Sequence, residues 1–177
     1  MSGEPPLTAH DVKQEIKMKK MIALAILVAV ATPVFADQKI PETISNLLKK
    51  HNPKVKWERM LGQADVNCDG KQDYIAIGKA KNRLYVAVAI GPISDKSKVS
   101  SINIGLGNER YQDSLGETNP SVRVAPLDYD PKEATGFTVE GFKRSKICKG
   151  VEIGGEETDE FNVYWNHKKG TLDWWRL

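Results

Sequence analysis

The chain predicts an α+β fold that is mainly antiparallel β, with about eight short strands and one N-terminal helix in a single domain. Three observations carry this. Leu84–Ile90 (LYVAVAI) is apolar at every position, the pattern of a central strand covered on both faces. Phe161, Val163 and Trp165 alternate with polar residues, and Leu172 and Trp174 alternate again after His167-Lys168-Lys169-Gly170, which reads as a C-terminal hairpin. Helical spacing appears only near the start of this region, where Ile40, Ile44, Leu47 and Leu48 fall on one face.

In chain order, the helix is expected over 41–51. Pro41 suits a helix start, Glu42 favours its positive end, and Lys49, Lys50 and His51 favour its negative end before Asn52-Pro53 stops it. Val55, Trp57 and Leu61 then mark a first strand, and Asp73–Gly78 (DYIAIG) a second. After Leu84–Ile90, Gly91-Pro92 ends the third. Ile102–Ile104 and Val122–Val124 are further strands. Between them, 105–121 is rich in Gly, Asn, Asp, Glu and Ser and reads as a long loop. Phe137–Val139 and Val151–Ile153 are expected as strands ahead of the hairpin.

Composition excludes several classes. The 177 residues carry a net charge of only +3, too slight to indicate a nucleic-acid binder. Two cysteines exclude a zinc ribbon and a disulfide-dense scaffold. The sequence contains no GxSxG, HExxH, P-loop or GxGxxG motif, so catalysis has no motif behind it.

The N-terminal region reads as an address. Met18-Lys19-Lys20 is basic, Met21–Ala31 is an unbroken apolar run, and Val34-Phe35-Ala36 supplies small residues at the cleavage-determining positions. Residues 18–36 are therefore expected to be a signal peptide cut after Ala36, leaving 37–177 as a periplasmic or secreted domain with no transmembrane span. An uncut anchor is the alternative, for which the run is short of the roughly 20 residues a span needs. Residues 1–17 form a polar extension upstream of a complete signal, and translation is expected to begin at Met18. The Lys-Lys start and short signal suggest a bacterial envelope protein. In that compartment Cys68 and Cys148 are expected to form a disulfide, with two free thiols as the alternative.

The most specific local pattern is Asp65-Val66-Asn67-Cys68-Asp69-Gly70-Lys71-Gln72-Asp73. Side-chain oxygens recur at positions 1, 3, 5 and 9, Gly70 permits a tight turn at position 6, and Lys71 offers its carbonyl. This spacing suits a hard cation that takes six to eight oxygens. Position 12 is Ala76 and not a bidentate Glu, so the loop is not an EF-hand. The alternative is an ion-free turn, because Asp, Asn and Gly also form turns through local hydrogen bonds. The segment resembles the calcium loop of FG-GAP and VCBS repeats, the integrin-type blade hairpins, in which DxNxDGxxD runs directly into a short apolar strand. Only one copy is present, so the resemblance implies one calcium-binding hairpin and no propeller. Its implied ligands are Asp65, Asn67, Asp69, the Lys71 carbonyl and Asp73.

Two further groups are candidate interaction surfaces. Lys143, Arg144, Lys146 and Lys149 form a basic patch beside Cys148, suited to an acidic partner or an anionic surface, or else a solvated edge. Trp165, Trp174 and Trp175 cluster near the C-terminus, where exposed rings would stack on a sugar or a protein and buried ones would form core. Trp174 and Trp175 must point to opposite faces of a strand. The leading expectation is an exported, disulfide-bonded, non-enzymatic binding module with one calcium-type loop, acting on another protein or envelope component as an inhibitor or immunity-like factor. The alternatives are a small secreted hydrolase using His51, His167 or the acidic run Glu156, Glu157, Asp159 and Glu160, and an envelope structural or polysaccharide-binding module.

Overall fold

The architecture comes from a computed structural model that describes residues 38–107, 113–154 and 159–177. The upstream extension and the expected signal peptide lie outside the described residues, as do Glu156 and Glu157 of the acidic run. Helix α1 spans Glu42–His51, with Pro41 immediately before it and three basic residues in its last turn. Its buried stripe is Ile44, Leu47 and Leu48, as the spacing predicts. Asn52 closes the helix by donating its backbone N–H to the Leu48 carbonyl at 2.9 Å.

Among the described residues nine strands follow: β1 Lys56–Ala64, β2 Asp73–Ala80, β3 Arg83–Ala89, β4 Val99–Leu106, β5 Ser114–Leu115, β6 Ser121–Leu127, β7 Ser145–Gly154, β8 Phe161–Asn166 and β9 Thr171–Trp175. They form a five-stranded sheet in the order β1-β2-β3-β4-β5 and a four-stranded sheet in the order β6-β7-β8-β9. Every pairing is antiparallel except β4 with β5. The α+β, mainly antiparallel expectation is met. A short second helix, α2 at Pro131–Thr135, was not anticipated; the Asp130 side chain caps it by accepting from the Lys132 N–H.

Period-two alternation sorts the side chains into three apolar layers. Ile75, Ile77, Leu84, Val86, Val88 and Ile104 of the first sheet meet Val151, Ile153, Phe161, Val163, Trp165 and Leu172 of the second, forming the main core. The opposite face of the first sheet presents Ala76, Ala87 and Ala89 to Ile44 and Leu48 of α1. Small residues here let the helix approach, so β3 is buried on both faces as its sequence implies. The outer face of the second sheet carries Tyr164 and Trp175, covered by Tyr129, Val139 and Phe142 from the connection between β6 and β7. The sheets are also joined at one margin, where the Ser100 and Thr171 hydroxyls lie 2.6 Å apart and the Leu172 N–H donates to Ser100 Oγ.

Three sequence expectations are corrected. The stretch 105–121 is not all loop: Gly105 and Leu106 pair in parallel with Ser114 and Leu115. Phe137–Val139 is not a strand. Gly136 turns the chain with φ 77°, leaving Phe137 exposed while Val139 packs into the outer aromatic layer. In β1, register breaks between Trp57 and Arg59 and between Met60 and Gly62 separate Trp57, which packs on the helix side with Met60, from Leu61, which faces the sandwich, although simple alternation puts 57 and 61 on one face.

Two predictions follow from these layers. Leu48 is fully buried; Leu48→Ala should cost about 2–5 kcal/mol in denaturant unfolding. Burial pushes the Tyr129 and Tyr164 phenols up to about 12. Unfolded tyrosines ionise near 10, so between about 10 and 12 the folded chain keeps protons that the unfolded chain loses. Stability measured by denaturant titration should therefore be unaffected by these groups below pH about 10, then fall as pH rises through that window. Tyr129→Phe should remove part of the fall.

Candidate functional site

The Asp65–Asp73 segment connects β1 to β2, so the expected loop-then-strand arrangement is present, with Asp73 as the first residue of β2. Its hydrogen bonds are almost all internal. Asp65 accepts from the Asp69 N–H through Oδ1 at 3.1 Å and from the Gly70 N–H through Oδ2 at 2.9 Å. Asn67 Oδ1 accepts from the same Asp69 N–H at 3.0 Å, and Asp69 Oδ1 accepts from Lys71 at 2.9 Å. The Asn67 amide donates to Asp69 Oδ2 at 3.3 Å. These are the local Asx bonds that make Asp and Asn turn formers. Gly70, at φ 82°, occupies the left-handed conformation the turn requires.

Asp73 behaves differently from the other three. It has no exposed surface. Its Oδ2 accepts from the Val66 and Asn67 N–H groups at 2.9 and 3.3 Å, and its Oδ1 accepts from the Gly91 N–H at 2.9 Å. Burial pushes its carboxyl above the usual carboxylate range, against the pull of those three donors. The carboxyl thus staples the β1–β2 loop to the turn after β3. Gly91 is required there, because a Cβ would lie 2.0 Å from the Gln72 carbonyl oxygen.

A covalent bond completes this corner. Cys68 and Cys148 form the expected disulfide, with Cα atoms 5.5 Å apart and a sequence separation of 80. It ties the loop of the first sheet to β7 of the second. Beside it, the Lys149 N–H donates to the Asp65 carbonyl at 3.0 Å.

The loop places its oxygens in two groups. Asp65, Asn67 and Asp69 converge on one side of the turn, since oxygens of the first two share the Asp69 N–H. Asp73 faces the protein interior, and its oxygens accept from three backbone donors. Among the described residues, no group of three or more His, Cys, Asp or Glu side chains is arranged to hold a metal ion.

The other sequence candidates separate. Lys143, Arg144 and Lys146 are exposed and Lys149 is half-buried. Arg144 pairs with Asp128 at 3.0 Å. Trp165 is buried in the main core; Trp174 packs edge-on against Phe161 and Trp175 against Tyr129, on opposite faces as alternation requires. The three indoles therefore belong to packing layers and form no common surface.

His167 is exposed at the β8–β9 turn, where its backbone N–H donates to Gly141. Of the acidic run, Asp159 and Glu160 are described and exposed, and Glu160 lies 3.6 Å from Arg123. A contact invisible in sequence is His51 Nε2 at 2.9 Å from Ser101 Oγ, beside a 380 Å³ groove lined by Lys50, Asp95, Lys96 and Ser97. Among the described residues no carboxylate orients that imidazole, so the pair lacks the third member that positions a base for nucleophilic catalysis. No protein-family model, curated protein or solved structure matches the chain.

Asp73→Asn removes one acceptor oxygen facing three buried donors, and should cost about 1–3 kcal/mol by denaturant unfolding. Asp69→Asn, on the exposed rim, should stay within about 0.5 kcal/mol. Replacing both cysteines by Ala should cost about 4–5 kcal/mol if loop-closure entropy dominates.

Proposed function

We propose that the protein is an exported, disulfide-bonded binding module of a bacterial envelope, acting by contact with another protein and not by catalysis. The observation that supports this most is the corner built by Cys68–Cys148, Asp73 and the Lys149–Asp65 backbone bond. A disulfide belongs to an oxidising compartment, in keeping with the signal-like residues 18–36. Among the described residues no helix is long and apolar enough to cross a membrane. A rigid corner lowers the ordering cost of docking, which is what a binding module needs.

Calcium is a separate part of the proposal and rests on the spacing of Asp65, Asn67, Asp69 and the Lys71 carbonyl. With Asp73 turned inward, the loop offers fewer oxygens than the resemblance implies. Any binding belongs in the weak extracellular range of about 0.1–1 mM. The experiment is a thermal melt of the oxidised protein, metal-free and then with about 5 mM calcium or magnesium. A calcium-selective rise that disappears in Asp69→Ala supports the site, since a ligand of the folded state raises the midpoint by mass action. An unchanged midpoint removes it and leaves the binding-module reading standing. Export has its own readout: intact mass of the product in the periplasm or medium should begin at Asp37, and an N-terminus at Met1 or Ser2 would contradict it.

A further inference from the structure

The basic patch takes on a different character once the pairing of β6 with β7 is known. Pro126 pairs with Lys149, but the next residue, Leu127, pairs with Ser145. Lys146, Ile147 and Cys148 therefore have no partner in β6 and form a bulge. Bulges re-aim side chains, and this one sends its two halves in opposite directions. Cys148 is buried and bonded to Cys68, whereas Ile147 is 75% exposed.

An isoleucine so exposed stands out in a domain whose other described Ile, Leu and Val side chains are covered, Leu177 at the C-terminus excepted. The bulge is also held firmly. Ser145 Oγ accepts from both the Ile147 and Cys148 N–H groups at 3.3 and 3.1 Å, the disulfide fixes one flank, and the Lys149 N–H is bonded to Asp65. An aliphatic tip on a pre-ordered backbone loses little conformational freedom when it inserts into a pocket.

Charge selects the kind of pocket. Lys146 precedes Ile147 and Lys149 follows it, and neither lysine is in an ion pair among the described residues. Asp65 and Asp69 of the disulfide-linked loop stay charged but are bonded to their own loop's N–H groups and form no ion pair with either lysine among the described residues. Arg144 is neutralised by Asp128. We infer that the Ser145–Lys149 bulge is the contact element of this module, inserting Ile147 into an apolar cleft with an acidic rim on a globular protein partner. This rests on the binding-module reading and gives it a location and a partner chemistry.

The test uses the oxidised full chain, immobilised, with envelope extract as the probe and mass-spectrometric identification of what is retained. Ile147→Asp, Lys146→Glu and, as a control for general apolar adhesion, Leu177→Asp are compared with the wild type. All three positions are exposed, so the variants should melt like the parent. The expected result is saturable retention of one acidic protein, weakened roughly tenfold or more by Ile147→Asp, as for a central anchor. Lys146→Glu should chiefly slow association and flatten its dependence on salt. Leu177→Asp should bind like wild type. Retention that survives Ile147→Asp, or falls equally with Leu177→Asp, overturns the bulge as contact element but leaves the module reading intact. Absence of any saturable partner for the wild type overturns both. Retention of phosphatidylglycerol vesicles in place of a protein, lost in Lys146→Glu, overturns the protein-partner assignment.

Discussion

One buried carboxyl group organises the end of the sandwich from which the functional argument starts. Asp73 accepts from Val66 and Asn67 on its own loop and from Gly91 after β3. Without it, the buried Val66 and Gly91 N–H groups and the half-buried Asn67 N–H would lose their acceptor, which is costlier than losing any single contact there. With it, the β1–β2 loop takes a fixed course, and Cys68 arrives within bonding distance of Cys148. The disulfide anchors Cys148 within the β7 bulge, and Ile147 emerges beside it. Carboxyl, bridge and bulge thus hold one corner of the fold together.

The fold was legible where pattern is local. Leu84–Ile90 announced a strand covered on both sides, and it lies between β2 and β4 with α1 and the second sheet on its faces. The helix face and the hairpin followed from spacing, as did the opposed directions of Trp174 and Trp175. What could not be read depends on partners distant in sequence. Ser114–Leu115 is a strand only because β4 lies beside it. Trp57 and Leu61, four residues apart, face opposite sides because of bulges against β2. Phe137–Val139 has β composition but pairs with no strand among the described residues.

The candidate site divides in the same way. The pairing of Cys68 with Cys148 was open to inference from cysteine count and compartment. The role of Asp73 was not, because a DxNxDGxxD spacing describes both a cation cage and a set of Asx turns. The partner of the last carboxylate, the Gly91 N–H, lies 18 residues on and leaves no mark in that spacing. Likewise a run of lysines around Ile147 reads as a solvated edge until the Pro126–Lys149 and Leu127–Ser145 pairings show that the segment leaves the sheet. The His51–Ser101 contact spans 50 residues and has no signature in sequence.

The central claim is that the 65–73 corner is ordered by its own protein bonds, independently of any ion. Amide hydrogen exchange in the oxidised, metal-free protein tests it most directly. The account predicts that the Val66 and Gly91 N–H groups, both bonded to Asp73, are protected to a degree approaching that of Val86 and Val88 in central β3. Rapid exchange at Val66 and Gly91 in the metal-free protein, with protection appearing only when calcium is added, would contradict it.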